Sequence, residues 1–274
     1  MITIKQIQNN ATVTDGSDTV TLGAGDSYTC LEPEEKLDFI FTVDTTIADN
    51  SPSDSYNLAW NGVVNALVNW GDGTEEYVVF PTQGIKSHQY LTEGVYDITV
   101  SGLFNYRPLF VSGVDKLKII AVKQWGRTFT TLNNAFKQNN NLSSLPQNET
   151  LFFQLDSRQC FSSTSLSNFG KIDSSFLSNG LELFRNSNFD YNVGDWNMAN
   201  CFVMTSMFQG TSMSQANCDA ILTGWTRWNN GQSNITLQPN VSLHLGNTDY
   251  TRGGDAEDAF NYLVNTLNWT ITFG

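Results

Sequence analysis

Alternation of apolar and polar positions predicts β-strands in the first hundred or so residues. In LDFIFTVDTT, every second position on one face is apolar: Leu37, Phe39, Phe41 and Val43. NALVNWGDGTEEYVVF and HQYLTEGVYDITVSGLF each contain a turn with glycine beside a strand pattern of this kind. Several short strands separated by turns are typical of an all-β sandwich, which we place at residues 36–112.

The pattern in residues 1–35 predicts a separate, smaller β element. ATVT and DTVTL are β-branched strands on either side of Asp15 and Gly16, a favourable hairpin turn. An isolated hairpin is only marginally stable in water, so it must pack on a neighbour or on another protein. We therefore expect residues 1–35 to be an N-terminal docking segment.

Phenylalanine recurs at a nearly constant interval in the second half of the chain. Separations of 25, 23 and 24 residues relate Phe136, Phe161, Phe184 and Phe208. An apolar residue follows each of them five or six positions later: Leu142, Leu166, Phe189 and Met213. A period in the twenties with one recurring aromatic residue predicts a solenoid of the leucine-rich type, in which stacking buries the open edge of each repeat. We place this solenoid at residues 113–274.

Two helical patterns near the end of the chain predict a cap on the solenoid. SMSQANCDAILTGWTRW has Ile221, Leu222 and Trp225 at helical spacing after a polar start. GDAEDAFNYLVNTLNW begins with acidic residues, which favour the helix dipole, and then forms an apolar stripe of Ala256, Phe260, Leu263, Val264 and Leu267. Helices that cover the open edge are what a solenoid requires.

The predicted sandwich carries a family motif. NWGDGT followed by HQY and EGVYDITV resembles the PKD family of immunoglobulin-like sandwiches, and the matching residues are Trp70, Gly71, Asp72, Gly73, His88, Tyr90, Gly94, Tyr96 and Val100. The glycines permit positive φ, and Asp72 can accept backbone N–H groups across the turn. Because no second acid follows at EF-hand spacing, we expect Asp72 to form a turn rather than a metal site.

A second motif lies in the predicted solenoid. WNMANCFVMTSMF resembles the repeat of the BspA-like leucine-rich family, also called DUF285. The matching residues are Trp196, Asn200, Met204, Met207 and Phe208, and the departures are Met198, Ala199, Cys201, Phe202 and Val203. Together the two resemblances imply a mainly β chain, in which an Ig-like PKD sandwich precedes a BspA-like solenoid with short helices and a C-terminal helical cap.

Composition and motifs argue against several kinds of function. The formal net charge of −13 would repel phosphate backbones, so we expect no nucleic-acid partner. No apolar run approaches the ~20 residues of a membrane span. The four cysteines lack C-x-x-C spacing and are expected to be free core thiols rather than zinc ligands. The two histidines, His88 and His244, belong to no catalytic motif, so we expect neither an enzyme nor a cofactor.

Proteins with this PKD and BspA-like arrangement include bacterial surface adhesins and phage virion proteins. The start MITIKQIQNN lacks the pattern of a secretory signal. We therefore favour a non-enzymatic protein of the virion surface: a tail fibre, a receptor-binding protein, or a head fibre or decoration protein. A bacterial cell-surface adhesin is the alternative, and a glycan-degrading enzyme is a further one, because paired carboxylates converge only in the fold.

The expected partners are other virion proteins, through the N-terminal segment, and a glycan or protein of the host surface. Exposed aromatic side chains are natural contacts for a glycan, and the candidates are Tyr191, Trp228 and Tyr250, each of which suits core packing equally well. The sequence has no coiled-coil heptads, so whether the chain forms a homo-oligomer stays open.

Overall fold

The computed structural model describes residues 2–4, 11–15, 18–22, 28–30, 38–60, 64–80, 84–104, 114–126, 132–229 and 231–274. Strands account for 29% and helices for 10%, which confirms the mainly β class. The chain divides into two compact units, Met1–Lys36 and Leu37–Gly274. Two residues of the predicted elements, Gly16 of the hairpin turn and Leu37 of the first long strand, lie outside the described residues.

The first unit contains two antiparallel strand pairs. Strand β1 (Ile2–Ile4) pairs with β4 (Tyr28–Cys30), and β2 (Ala11–Asp15) pairs with β3 (Asp18–Leu22). Asp15 lies opposite Asp18 in the second pair, so β2 and β3 are the two arms of the hairpin that the sequence predicts.

Among its described residues, the second unit begins with seven strands: β5 (Phe39–Asp44), β6 (Ser55–Trp60), β7 (Val64–Asn69), β8 (Glu75–Phe80), β9 (Gly84–Gln89), β10 (Val95–Phe104) and β11 (Ile119–Gln124). Five of them form an antiparallel sheet in the order β11-β5-β10-β7-β8, while β6 and β9 form a second sheet. The two sheets pack through buried side chains, and the Phe41 and Tyr56 ring centroids are 6.0 Å apart. The period-two pattern is confirmed in β5, where Phe39, Phe41 and Val43 are all buried.

Strand β11 has a hydrogen-bonded neighbour on each side. It pairs with β5 in the five-stranded sheet, and Ala121 forms a parallel bridge with Ser144. The Val122 N–H donates to the carbonyl of Ser144 at 3.0 Å, and the Ser143 N–H donates to the carbonyl of Ile120 at 2.9 Å. Backbone pairing therefore continues from the large sheet into the second half of the chain.

Residues 132–213, which we call the stack, form successive turns that are hydrogen-bonded to one another. The Phe136 N–H donates to the carbonyl of Cys160 at 2.9 Å, and the Phe161 N–H donates to that of Leu183 at 3.0 Å. Parallel bridges join the same turns, as does the parallel pairing of β12 (Thr150–Phe152) with β13 (Lys171–Asp173). Each turn thus provides the hydrogen-bonding edge on which the next one lies.

The four recurring phenylalanines lie in one continuous column inside the stack. Successive ring centroids are 5.6, 5.9 and 5.7 Å apart, and the ring planes are within 6° of parallel. Trp125 lies 6.0 Å beyond one end of the column, and Trp225 lies 6.2 Å beyond the other. We call these six rings, none more than 3% exposed, the aromatic column: Trp125, Phe136, Phe161, Phe184, Phe208 and Trp225.

Left-handed residues lie on both sides of each phenylalanine of the column. The residues two positions before and two positions after each ring have φ between 52° and 76°: Asn134, Gln138, Gln159, Ser163, Glu182, Asn186, Ser206 and Gly210. Around Phe136, the N–H groups of Asn134, Phe136 and Gln138 all donate to the following turn. The residues with left-handed φ therefore lie at the positions where backbone hydrogen bonds join one turn to the next. Seven of the eight residues are not glycine, so each of these seven carries conformational strain.

Replacing Ser163 by valine is expected to lower the free energy of unfolding by about 1–2 kcal/mol, because a β-branched side chain tolerates its φ of +57° poorly. Ser163→Gly should change it by less than about 1 kcal/mol, because glycine adopts this φ freely but gains entropy when unfolded. Ser165→Val is the matched control, since Ser165 is exposed and not left-handed. Equal urea-unfolding midpoints for Ser163→Val and Ser165→Val would show that the backbone is not strained there.

A buried polar residue follows each phenylalanine of the column by three positions: Asn139, Thr164, Ser187 and Thr211. The hydroxyl groups of Thr164, Ser187 and Thr211 each donate to the carbonyl three residues back, at 3.0, 2.6 and 2.8 Å. Asn139 instead donates to the carbonyl of Ile119 at 3.0 Å. The polar side chains therefore satisfy carbonyl groups that the turns bury.

The C-terminal part contains helix α1 (Gln215–Trp225), strand β14 (Ser242–His244), helix α2 (Asp255–Asn265) and strand β15 (Thr270–Thr272). Strands β14 and β15 pair in parallel. Helix α2 buries Ala256, Ala259 and Leu263, while Val264 is only half-buried, so the apolar stripe is slightly rotated from the predicted one. Within the described part of the chain, no helix has the length and apolar character needed to cross a membrane.

Candidate functional site

The NWGDGT stretch forms the turn between β7 and β8. The Trp70 N–H donates to the carbonyl of Thr74 at 3.1 Å, and Asp72 Oδ1 accepts from the Thr74 N–H at 3.0 Å and from its hydroxyl at 2.6 Å. Glycine is required at position 71, where φ is +83° and a Cβ atom would lie 2.5 Å from the carbonyl oxygen of Asp97. Asp72 therefore lies at the corner of a tight turn.

The motif residues Trp70, Asp72, His88 and Tyr90 form one cluster beside this turn. His88 Nε2 lies 2.8 Å from Asp72 Oδ2, and the His88 ring is stacked on Trp70 with centroids 4.6 Å apart. Tyr90 contacts the histidine ring edge-on, with centroids 4.5 Å apart, and its hydroxyl donates to the Trp70 carbonyl at 3.1 Å. We call these four residues the turn cluster.

The geometry of the turn cluster suits stabilisation of the turn rather than nucleophilic catalysis. A catalytic hydroxyl would have to reach the histidine, whereas the Thr74 hydroxyl donates to Asp72 instead. Burial acts to raise the pKa of Asp72, but hydrogen bonds from Thr74 and His88 outweigh it and hold this pKa below 3.8. Burial, with the charge of Asp72 as a smaller cause, also raises the pKa of Tyr90, so its phenol stays protonated.

Replacing Asp72 by asparagine is expected to lower the free energy of unfolding by about 1–2 kcal/mol at neutral pH, because the two donors of Thr74 and the ring of His88 lose a charged partner. The folded pKa lies below 3.8, so this contribution is complete above that pH and is lost as the pH falls through the folded value. Urea unfolding at about pH 7 and about pH 2 measures both effects.

Asp44→Asn is the matched control for this substitution. Asp44 Oδ1 accepts from the Thr46 N–H and hydroxyl at 3.0 and 2.6 Å, which reproduces the local turn at Asp72. We expect Asp44→Asn to lower the free energy of unfolding by less than Asp72→Asn does, because Asp72 contacts His88 and Asp44 does not. Equal losses for Asp72→Asn and Asp44→Asn would refute a stabilising role for the His88 contact.

The cysteines whose side chains the structure describes are buried free thiols: Cys160, Cys201 and Cys218. Burial raises the pKa of Cys201 and of Cys218 to about 12, so these sulfurs stay protonated and unreactive at neutral pH. Among the described residues, no group of three or more His, Cys, Asp or Glu side chains is placed to hold a metal ion.

The three predicted ligand contacts have different environments. Tyr250 is 2% exposed and packs on Phe260 and Phe273, which is the core-packing alternative that the sequence left open for it. Trp228 is half-buried and lies 5.7 Å from the ring of Tyr262. Tyr191 is also half-buried, but it lines an open cleft of about 520 Å3.

The stack exposes apolar side chains on successive turns. Leu155, Phe176 and Phe202 are 66%, 60% and 60% exposed, and Phe152 in β12 is 50% exposed. The Ser178 N–H donates to the carbonyl of Leu155, and the Phe202 N–H donates to the carbonyl of Ser178, each at 3.1 Å. We call Phe152, Leu155, Phe176 and Phe202 the apolar face.

Folding does not require apolar residues throughout this face. Ser178 occupies the position between Leu155 and Phe202 in the hydrogen-bonded row, and a polar side chain is accepted there. Large apolar side chains that stay exposed on successive turns make this part of the surface a candidate interaction site. Phe152, Phe176 and Phe202 recur at intervals of 24 and 26 residues, close to the intervals of the buried phenylalanines, so spacing alone does not distinguish this exposed surface from the core.

Comparisons with protein-family models, with curated proteins and with solved structures find no match.

Proposed function

We propose that residues 36–112 are an Ig-like sandwich of the PKD type and that residues 113–274 are a BspA-like leucine-rich solenoid with a helical cap. The turn cluster supports the first assignment, since its four residues are the motif residues and they contact one another. The aromatic column supports the second, since a residue that recurs every 23 to 25 positions stacks on its own copies.

On this basis we propose a non-enzymatic protein of the phage virion surface, such as a tail fibre, a receptor-binding protein or a head fibre. Its stack presents a surface that attaches to a protein or glycan of the host. Residues 1–35 dock it to other virion proteins. The observation that carries attachment is the apolar face, because Leu155, Phe176 and Phe202 are more than half exposed on successive turns.

Attachment can be tested by replacing Leu155 and Phe202 with serine, the residue that lies between them at position 178. The double variant Leu155→Ser and Phe202→Ser should keep the unfolding midpoint of the parent, because both side chains are exposed, and should reduce binding of the labelled chain to host cells at least tenfold. Leu91→Ser, at a fully exposed apolar site in the sandwich region, is the control and should bind normally. Unchanged binding by the double variant would exclude the apolar face.

The virion location needs a separate measurement. Antibody labelling of purified particles, viewed by electron microscopy, should place the protein on their surface. Particles that carry no label, with the protein recovered only from the host cytoplasm, would contradict the proposal.

A further inference from the structure

The cleft beside Tyr191 is a surface feature separate from the apolar face. It lies between the loop of residues 191–195 and helix α1, and it has a volume of about 520 Å3. Cavities that bind small molecules usually fall between about 300 and 1,000 Å3. The cleft therefore has the size of a ligand site.

Two glycines, Gly194 and Gly224, let the loop and helix α1 approach each other closely at this cleft. A Cβ atom on Gly224 would lie 2.2 Å from the carbonyl oxygen of Gly194, and one on Gly194 would lie 2.3 Å from that of Ala220. The loop and the helix can approach this closely only because both positions are glycine.

The loop that forms one wall is held in place from helix α1 and the residues after it. The Trp225 indole N–H donates to the carbonyl of Val193 at 2.7 Å, and Arg227 donates to the carbonyls of Gly194 and Asp195 at 3.3 and 3.0 Å. Asn192 Oδ1 accepts from the Gly194 N–H at 2.9 Å. These bonds form the cleft before any ligand enters, which lowers the entropic cost of binding.

The walls combine one aromatic ring with neutral and acidic hydrogen-bonding groups. Tyr191 supplies a half-buried ring, Asn192 and Asp195 are exposed, and Thr223 is half-buried. A sugar ring has an apolar C–H face that can lie on an aromatic ring, and hydroxyl groups at its edge that bond to amides, carboxylates and hydroxyls. The residues of the cleft match both parts of such a ligand.

Charge selects among glycans. Asp195 is the acidic residue of the cleft wall, and the chain carries a formal net charge of −13, so a sulfated, phosphorylated or sialylated sugar would be repelled. Arg227 keeps its positive charge, but it holds the loop from behind through two backbone carbonyls and is not one of the residues that line the cleft. A neutral sugar, in contrast, can donate its hydroxyl protons to the Asp195 carboxylate.

We propose that the cleft formed by Tyr191, Asn192, Asp195 and Thr223 is a binding site for one unit of a neutral glycan. This inference goes beyond attachment through the apolar face, since it assigns a separate site and a ligand class. A single sugar held by one ring and a few hydrogen bonds binds weakly. Many copies on one particle would raise the overall affinity by multivalency.

Ligand-detected saturation-transfer NMR on the full chain tests the site, with glucose, galactose, mannose and N-acetylglucosamine as probes. At least one sugar should show transfer, and Tyr191→Ala should reduce that transfer at least fivefold. Asp195→Ala, which removes an exposed side chain and so leaves folding intact, should also reduce it. Tyr77→Ala, at a tyrosine that is 74% exposed on β8, is the control and should keep full transfer.

The outcomes separate this site from the proposed function. Absence of transfer from all four sugars, or transfer that survives both Tyr191→Ala and Asp195→Ala, would overturn the sugar site, even if antibody labels the particles. Transfer that both substitutions reduce would support the site, even if particles prove unlabelled and the virion proposal fails.

Discussion

Replacing Phe184 by alanine is expected to lower the free energy of unfolding by about 4 kcal/mol, near the upper range for a buried phenylalanine. Phe184 lies in the middle of the aromatic column, 5.9 Å from the Phe161 ring and 5.7 Å from the Phe208 ring. Its ring also contacts Phe189 and Trp196, at 4.2 and 6.0 Å. No neighbouring side chain can fill the cavity without breaking the stack, so the loss should be large.

Two other alanine variants, Phe136→Ala and Phe176→Ala, serve as comparisons for Phe184→Ala. Phe136→Ala should cost less, because Phe136 lies next to the end of the column, where Trp125 and Phe161 are its ring neighbours. Phe176→Ala removes the same side chain from the exposed apolar face and should change the free energy of unfolding by less than about 0.5 kcal/mol. Urea unfolding of the three variants measures their losses in free energy of unfolding, which should decrease from Phe184→Ala to Phe136→Ala to Phe176→Ala. A Phe184→Ala loss no larger than that of Phe176→Ala would refute the column.

Lys118→Met is expected to be the other strongly destabilising substitution, at about 3–5 kcal/mol. Lys118 is fully buried, and its ammonium group donates to the carbonyls of Pro52 and Ser55, and to the Ser51 hydroxyl, at 2.7 to 2.8 Å. Methionine fills a similar volume but leaves these acceptors without a donor.

A buried carboxylate completes this polar centre. Asp115 is also fully buried and accepts from the Ser51 hydroxyl at 2.6 Å and from the Asn57 N–H at 2.6 Å. Loss of the ammonium group would leave this negative charge uncompensated. The centre joins the loop after β5 to the segment that leads into β11, so Lys118→Met should also loosen the connection between the sheets and the stack.

Lys123→Met is the matched control for Lys118→Met. Lys123 lies in β11, is half-exposed, and forms an ion pair with Asp97 at 2.6 Å. Exposed pairs of this kind contribute about 0–1 kcal/mol, so the control should change stability little. If the two lysine variants unfold at the same urea concentration, the buried centre does not stabilise the junction.

The sequence predicts features that depend on regular spacing. The strand pattern of Phe39, Phe41 and Val43 needs only period two, and the column needs only the interval between phenylalanines, so both can be read without knowing the fold. The left-handed positions escaped notice because Gln159, Glu182 and their counterparts are not glycines. The buried polar residue after each phenylalanine could have been found, since Ser, Thr or Asn recurs at the same offset in all four repeats.

Features that depend on distant partners could not be predicted in this way. Lys118 lies in the stretch KLKIIAV and looks like a surface lysine, because the oxygen atoms that bury it belong to residues 51–55, more than sixty positions earlier. The two-sided pairing of β11 is equally non-local. The Tyr191 cleft forms only where a loop meets helix α1. Of the residues that line it, only Tyr191 was predicted from the sequence as a ligand contact.

A double-mutant cycle on Phe161 and Phe184 tests the central claim, that the phenylalanine rings stack into one continuous scaffold. Each residue is replaced by leucine, singly and together, and free energies of unfolding are measured in urea. Stacked rings should show a coupling of about 0.5–1.5 kcal/mol for this adjacent pair and additive effects for Phe136 with Phe208, which are separated by two rings. Additive effects for Phe161 with Phe184 would contradict the stacked column.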